Sequence, residues 1–201
     1  MKILNPAVSR ALAAGEKIKL NIGGGSTKKE GYFNIDIVEL PEVDIVANLN
    51  EPLSLLPDNS VERVYTCHVL EHVSNLLGLM EELHRVCTAE AELEIIVPHF
   101  SNPLYYSDPT HVRPWGIYTI AYFMDKDDQV GRKVPSYYSK ARFRLLSRKI
   151  VFARTNLLDR LFVPLLRSVL NRWFSALEVY ERRWTWIYPA WELQMRIRPK
   201  K

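Results

Sequence analysis

The stretch KIKLNIGGGSTKKEGYFNIDIV, Lys17–Val38, decides how this chain folds. Its first part is an apolar run containing β-branched residues that meets three glycines, the pattern of a buried strand ending in a tight loop. A second short strand follows at once, YFNIDIV, which ends near an acid, Asp36. Only 13 residues separate Gly23 from Asp36. A helix between these two strands must therefore be short or absent, unlike the longer spacing of a dinucleotide-binding fingerprint.

Working outward, VDIVANL (43–49) reads as a third strand, and VERVYTCHV (61–69) as a fourth, entered through the turn chemistry of Pro57, Asp58, Asn59 and Ser60. A helix is expected from a Ser74 cap, with Leu76, Met80, Leu83 and Cys87 recurring at three- and four-residue steps. AELEIIVP (91–98) alternates before a fully apolar end and reads as the strand after it. This order argues for an α/β sheet with mostly parallel pairing. Residues 99–142 then form an aromatic- and proline-rich region too long for a simple connection and too aromatic for disorder. FRLLSRKIVFA (143–153) reads as a further strand and AWELQMRIRP (190–199) as the last.

Between those two strands lies an amphipathic helix over about 154–178, kinked or restarted at Pro164. One stripe is Leu157, Leu161, Leu165, Val169 and Trp173, and beside it run Leu158, Phe162, Leu166, Leu170 and Phe174. Arg154, Arg160, Arg167 and Arg172 stand among the polar positions, a combination also found in helices that rest on anionic membranes. Packing on the domain is the commoner fate of such a helix. It is expected here as a cap over one side of the domain, with buried leucines.

A chain of 201 residues that is 47% hydrophobic is expected to form one domain over 1–201. Two cysteines give no disulfide framework, and no apolar run reaches the roughly 18 residues of a membrane span, so a cytoplasmic protein is expected. The net charge of +4 hides an asymmetry. Residues 1–125 carry 9 Lys and Arg against 17 Asp and Glu, and residues 126–201 carry 18 against 6. The basic last third suits anionic partners: phosphates, nucleic acid or an acidic membrane surface.

One motif points elsewhere. CHVLEH, Cys67–His72, contains His-x-x-Glu-His, the signature of a group of zinc peptidases. Such a site needs a substantial helix to carry both histidines, and this segment reads as a strand end, so no metal site is expected.

The successive strand ends, LNIGGGST, NID, ANL and HVLEHV, resemble those of the class I S-adenosylmethionine-dependent methyltransferases, especially small single-domain bacterial enzymes. The resemblance spans about residues 17–123. It implies a Rossmann-like three-layer fold with a mostly parallel sheet, an antiparallel last strand and a helical and aromatic cap. It implies S-adenosyl-L-methionine as cofactor, with Asn21, Gly23, Gly24 and Gly25 around its methionine part and Asp36 on the ribose hydroxyls. Asn48 and Leu49 would contact adenine, and His68 and Val69 would complete the wall near the sulfonium. Two departures stand out: Asn21 occupies a position that is often Asp, and Thr27 one that is often Gly.

Methyl transfer requires chiefly that the acceptor be held in line behind the methyl group. Where the acceptor must lose a proton, the candidate base is His111, oriented by Asp108 within DPTH, a sequence that also makes a good turn. Tyr105, Tyr106 and Trp115 are candidates to cover the sulfonium or close a lid. The acceptor class stays open between a small anionic, carbohydrate- or lipid-linked molecule and an RNA or protein engaged by the basic third. A non-catalytic cofactor-fold binder is the alternative from another class.

Overall fold

The computed structural model describes the backbone of residues 1–201 and every side chain except that of Leu158, so that member of the second leucine stripe lies outside the described side chains. Eight strands form one sheet: β1 (Lys2–Ile3), β2 (Ile18–Ile22), β3 (Phe33–Asp36), β4 (Ile45–Val46), β5 (Val61–Cys67), β6 (Cys87–Pro98), β7 (Phe143–Val151) and β8 (Glu192–Pro199). Their spatial order is β1-β4-β3-β2-β5-β6-β8-β7. The five strands β4, β3, β2, β5 and β6 run parallel. β8 inserts antiparallel between β6 and β7, as expected for the last strand.

β2 is the middle one of the five parallel strands, and Ile18, Leu20 and Ile22 on it are buried. Strands covered on both faces read as near-continuous apolar runs, which is why this segment is so legible. Four helices accompany the sheet: α1 (Pro6–Ala13), α2 (Leu76–Val86), α3 (Leu157–Leu170) and α4 (Phe174–Arg183). α2 turns Leu76, Leu79, Met80, Leu83 and Val86 into the core. Its N-cap is Asn75, one residue past the expected Ser74, because the Asn75 side chain accepts from the Gly78 amide at 3.1 Å.

α1 forms where the sequence carries only broken apolar runs. The local signal is its cap: Asn5 accepts from the Ala7 amide at 2.9 Å and Pro6 opens the helix. No helix separates β2 from β3, as the short spacing requires. Residues 99–142 run as irregular chain with two short 3-10 turns, at Pro103–Ser107 and Thr119–Phe123.

The expected single helix over 154–178 is two. α3 passes through Pro164 without breaking, and the chain restarts only after Asn171. Asn156 and Asp159 form a capping box that starts α3. The expected burial is also corrected: Leu157, Leu161, Leu165, Val169 and Trp173 are exposed, while Val163 is buried and Leu166 and Leu170 are partly covered. Periodicity shows that a helix has an apolar face, and α3 has more apolar surface than the domain can cover.

Candidate active site

The glycine loop is built by buried amides. Asn21 Nδ2 donates to Asn34 Oδ1 at 2.7 Å and to the Thr27 carbonyl at 3.0 Å, and Asn34 Nδ2 donates to the same carbonyl at 3.1 Å. Asn21 therefore ties the loop to β3. Gly23 and Gly25 both have positive φ, 69° and 51°. They differ in what surrounds them. A Cβ on Gly23 would stand 2.2 Å from Val69 Cγ2, whereas one on Gly25 would meet only Asp36 Oδ2, at 4.0 Å. Gly23 lets the loop pack against the turn after β5, and Gly25 leaves room for something else. Gly24 packs on the amides of Asn21 and Asn34.

Asp36 ends β3 and faces this room. Its Oδ2 accepts from the Gly25 amide at 2.9 Å and its Oδ1 from the Val38 amide at 3.2 Å, which leaves a lone pair on each oxygen for hydroxyl donors. The cavity beside it, about 260 Å³, is lined by Gly23, Asp36, Asn48, Leu49, His68 and Val69, six of the expected residues. Ile37, Asn50, His72 and Val73 also line it and were missed. Ile37 is 64% exposed directly after the acid, and an apolar residue in that position was the available signal. Asn48 spends its side chain locally, accepting from the Asn50 amide at 3.1 Å and donating to Glu51 at 3.0 Å.

The peptidase motif has no helix to stand on. β5 stops at Cys67, His68 takes a positive φ of 56°, and Leu70–His72 make a single 3-10 turn. This geometry sends the three polar side chains to different tasks. Glu71 is fully buried, and no hydrogen-bond donor among the described residues reaches its carboxylate oxygens. Its nearest cationic partner is His68 Nδ1 at 3.5 Å, an ion-pair distance, and the other ring nitrogen of His68 lies 3.1 Å from Glu192 at the start of β8. Contact with Glu71 raises the pKa of His68, partial burial opposes this, and Glu192 adds to the rise. When protonated, His68 brings its positive charge to the side of the buried Glu71.

His72 faces the cavity, and its Nδ1 lies 2.8 Å from Thr110 Oγ1. Thr110 Oγ1 is 2.5 Å from Asp108 Oδ1. A carboxylate only accepts, so the threonine proton points to Asp108 and Nδ1–H of His72 donates to Thr110. Neutral His72 then keeps a free lone pair on Nε2. His111, the expected base, is nearly enclosed: its Nδ1 donates to the Tyr105 carbonyl at 2.8 Å, its ring stacks on Tyr105, and its Nε2 is 3.9 Å from Glu71 and 3.8 Å from Asp108. The His72 and His111 rings meet at 4.7 Å. Glu71, His72 and His111 bring one ligand-type atom each within 4.8 Å of one another, a grouping that residue spacing could not reveal.

The aromatic region behaves differently from a lid. Trp115 is fully buried, Tyr105 packs on His111, and exposed Tyr106 donates to the Phe100 carbonyl at 2.9 Å. A second cavity of about 400 Å³ opens beyond the turn that bounds the first, lined by Leu76, Arg113, Tyr118, Tyr122, Tyr138 and Glu181. Arg113 bridges the two by donating to the Val73 carbonyl at 2.9 Å and the Ser74 carbonyl at 3.2 Å.

In comparison with solved structures, the chain is similar to an S-adenosylmethionine-dependent methyltransferase from Archaeoglobus fulgidus, with a TM-score of 0.53 and 16% identity over 97% of this chain and 93% of that one. It has the class I S-adenosylmethionine-dependent methyltransferase fold. The YcgJ protein from Bacillus subtilis is similar at a TM-score of 0.53 and 12% identity, over 98% of each chain. No family profile matches the sequence, and no curated protein matches it. In open α/β sheets the ligand crevice lies outside the carboxyl ends of the parallel strands. The cavity beside Asp36 lies at the ends of β2, β3, β4 and β5.

Proposed function

We propose that this protein transfers a methyl group from S-adenosyl-L-methionine to a small acceptor, anionic or carbohydrate- or lipid-linked. The observation that carries the reading is the strand-end cavity, where four separate strand ends converge on Asp36 and the open space beside Gly25. The bound cofactor supplies an electrophilic methyl group on a cationic sulfonium. The chain's residues do the rest. Asp36 accepts from the ribose hydroxyls, Ile37 and Leu49 enclose the adenine, and the absent side chain of Gly25 admits the methionine part. The acceptor sits toward the second cavity, whose Tyr118, Tyr122 and Tyr138 offer aromatic faces.

His72 is the proposed base in place of His111. Thr110 and Asp108 fix its tautomer, so that Nε2 is free to take a proton from an acceptor hydroxyl as its oxygen attacks, or from an acceptor ammonium before its nitrogen can attack; the electron pair of the broken carbon–sulfur bond would leave with sulfur. Asp108 thus keeps an orienting role, through Thr110. Incubating the protein with methyl-labelled cofactor and fractionated cell extract tests the reading: label in a small, separable product supports it, and label only in RNA or protein overturns the small-acceptor assignment.

A further inference from the structure

We propose that the segment from α3 through the turn after α4, residues 157–187, is an interfacial surface that seats the protein on an anionic bilayer. This goes beyond the methyl-transfer reading and does not depend on it. Leu157 is 73% and Leu161 74% exposed, and Leu165 and Val169 continue the stripe. The turn after α4 adds Trp184, Trp186 at 69% and Ile187 at 74%. Between the two helices runs an apolar groove of about 620 Å³, lined by Phe162, Leu166, Leu170, Val179, Trp184 and Ile187. Contiguous apolar surface of this kind marks a contact with a partner or a membrane.

Charge decides the occupant. Within the segment and its lead-in stand Arg154, Arg160, Arg167, Arg172, Arg182 and Arg183. The acids are committed to the protein itself. Asp159 accepts from Thr155 at 2.6 Å and from Tyr188 at 2.8 Å, Glu178 takes the Tyr118 hydroxyl and pairs with Arg182, and Glu181 holds His99 at 3.1 Å and the Ile117 amide at 2.6 Å. What faces outward is leucine and tryptophan rimmed by arginine, the composition of a helix lying in the headgroup region of acidic lipid. No helix is long and apolar enough to cross a membrane among the described residues, so the surface lies on the bilayer.

The segment is well placed for this. It leaves β7 at Val151 and re-enters β8 at Glu192, and these two residues pair with each other and, through Glu192, with Pro98 at the end of β6. That is the edge of the sheet on which the candidate active site opens.

The test is co-sedimentation of the full chain with phosphatidylcholine vesicles made with and without phosphatidylserine. The expected result is binding that requires phosphatidylserine, weakens as salt rises, and falls by about fivefold for each of Arg160→Gln, Arg172→Gln and Arg183→Gln. Leu161→Gln combined with Trp186→Gln should lower it about tenfold while leaving the melting temperature unchanged, since both side chains are exposed. Any of these results would overturn the proposal: no vesicle binding by the unaltered protein, arginine-dependent binding indifferent to the apolar substitutions, or a dimer abolished by those substitutions without any vesicle binding.

Discussion

His68 Nε2 lies 3.1 Å from Glu192 Oε1, a contact between the turn after β5 and the first residue of β8 across 124 positions of sequence. With Glu71 on its other nitrogen, His68 bridges two carboxylates. The first consequence is a pH dependence. The folded-state pKa of His68 is raised, so its stabilisation is fully present below the unfolded value of about 6.5 and is lost as pH rises through the folded value. His68→Asn, which tolerates the positive φ, should therefore lower the melting temperature most at acidic pH. The gap from wild type should narrow above neutrality; a gap independent of pH would remove the charge from this account.

The two positive-φ glycines of the loop should respond differently to alanine. Gly23→Ala drives a Cβ to 2.2 Å from Val69 and should cost about 2 kcal/mol or more of folding stability. Gly25→Ala meets open space and should cost about 1 kcal/mol, from its backbone conformation alone. Denaturant unfolding of the two variants separates them, and equal losses would show that Val69 gives way freely.

Replacing His72 by Ala should lower turnover by about 10²- to 10⁴-fold with cofactor affinity retained, as expected for loss of a general base. Thr110→Val breaks the link to Asp108 and should produce a smaller loss in the same direction. If His111→Gln abolished turnover while His72→Ala did not, the roles assigned to the two rings would have to be exchanged.

Because His68 already faces Glu71 at ion-pair distance, turnover should not require a cation at Glu71, His72 and His111. Activity after dialysis against a chelator should equal that of untreated protein. Stoichiometric metal in the purified protein, with activity lost on chelation and restored by that metal, would reverse this assignment.

The readable parts of the fold are those whose causes are local. The apolar run of β2, the glycines after it and the acid ending β3 lie within 22 consecutive residues, and each is dictated by its own backbone geometry. The polar relay was not readable, because Thr110 meets His72 across 38 positions and only the folded sheet brings Asp108 beside that turn. For α3 the periodicity was right and the burial wrong. A hydrophobic stripe specifies a face that avoids water, and whether protein or lipid covers it depends on the rest of the surface. The role of His72 was hidden for a similar reason: its orientation follows from the positive φ at His68, which the sequence does not announce.

The central claim, that Asp36 and the glycine loop form a cofactor site, is tested most directly by isothermal titration calorimetry of S-adenosyl-L-methionine into the wild-type protein and into Asp36→Ala. The account predicts saturable one-site binding to the wild type, weakened in the variant by about 1 to 3 kcal/mol, the worth of a charged acceptor facing hydroxyl donors. Absence of binding to the folded wild-type protein, or equal affinity in the two proteins, would contradict it.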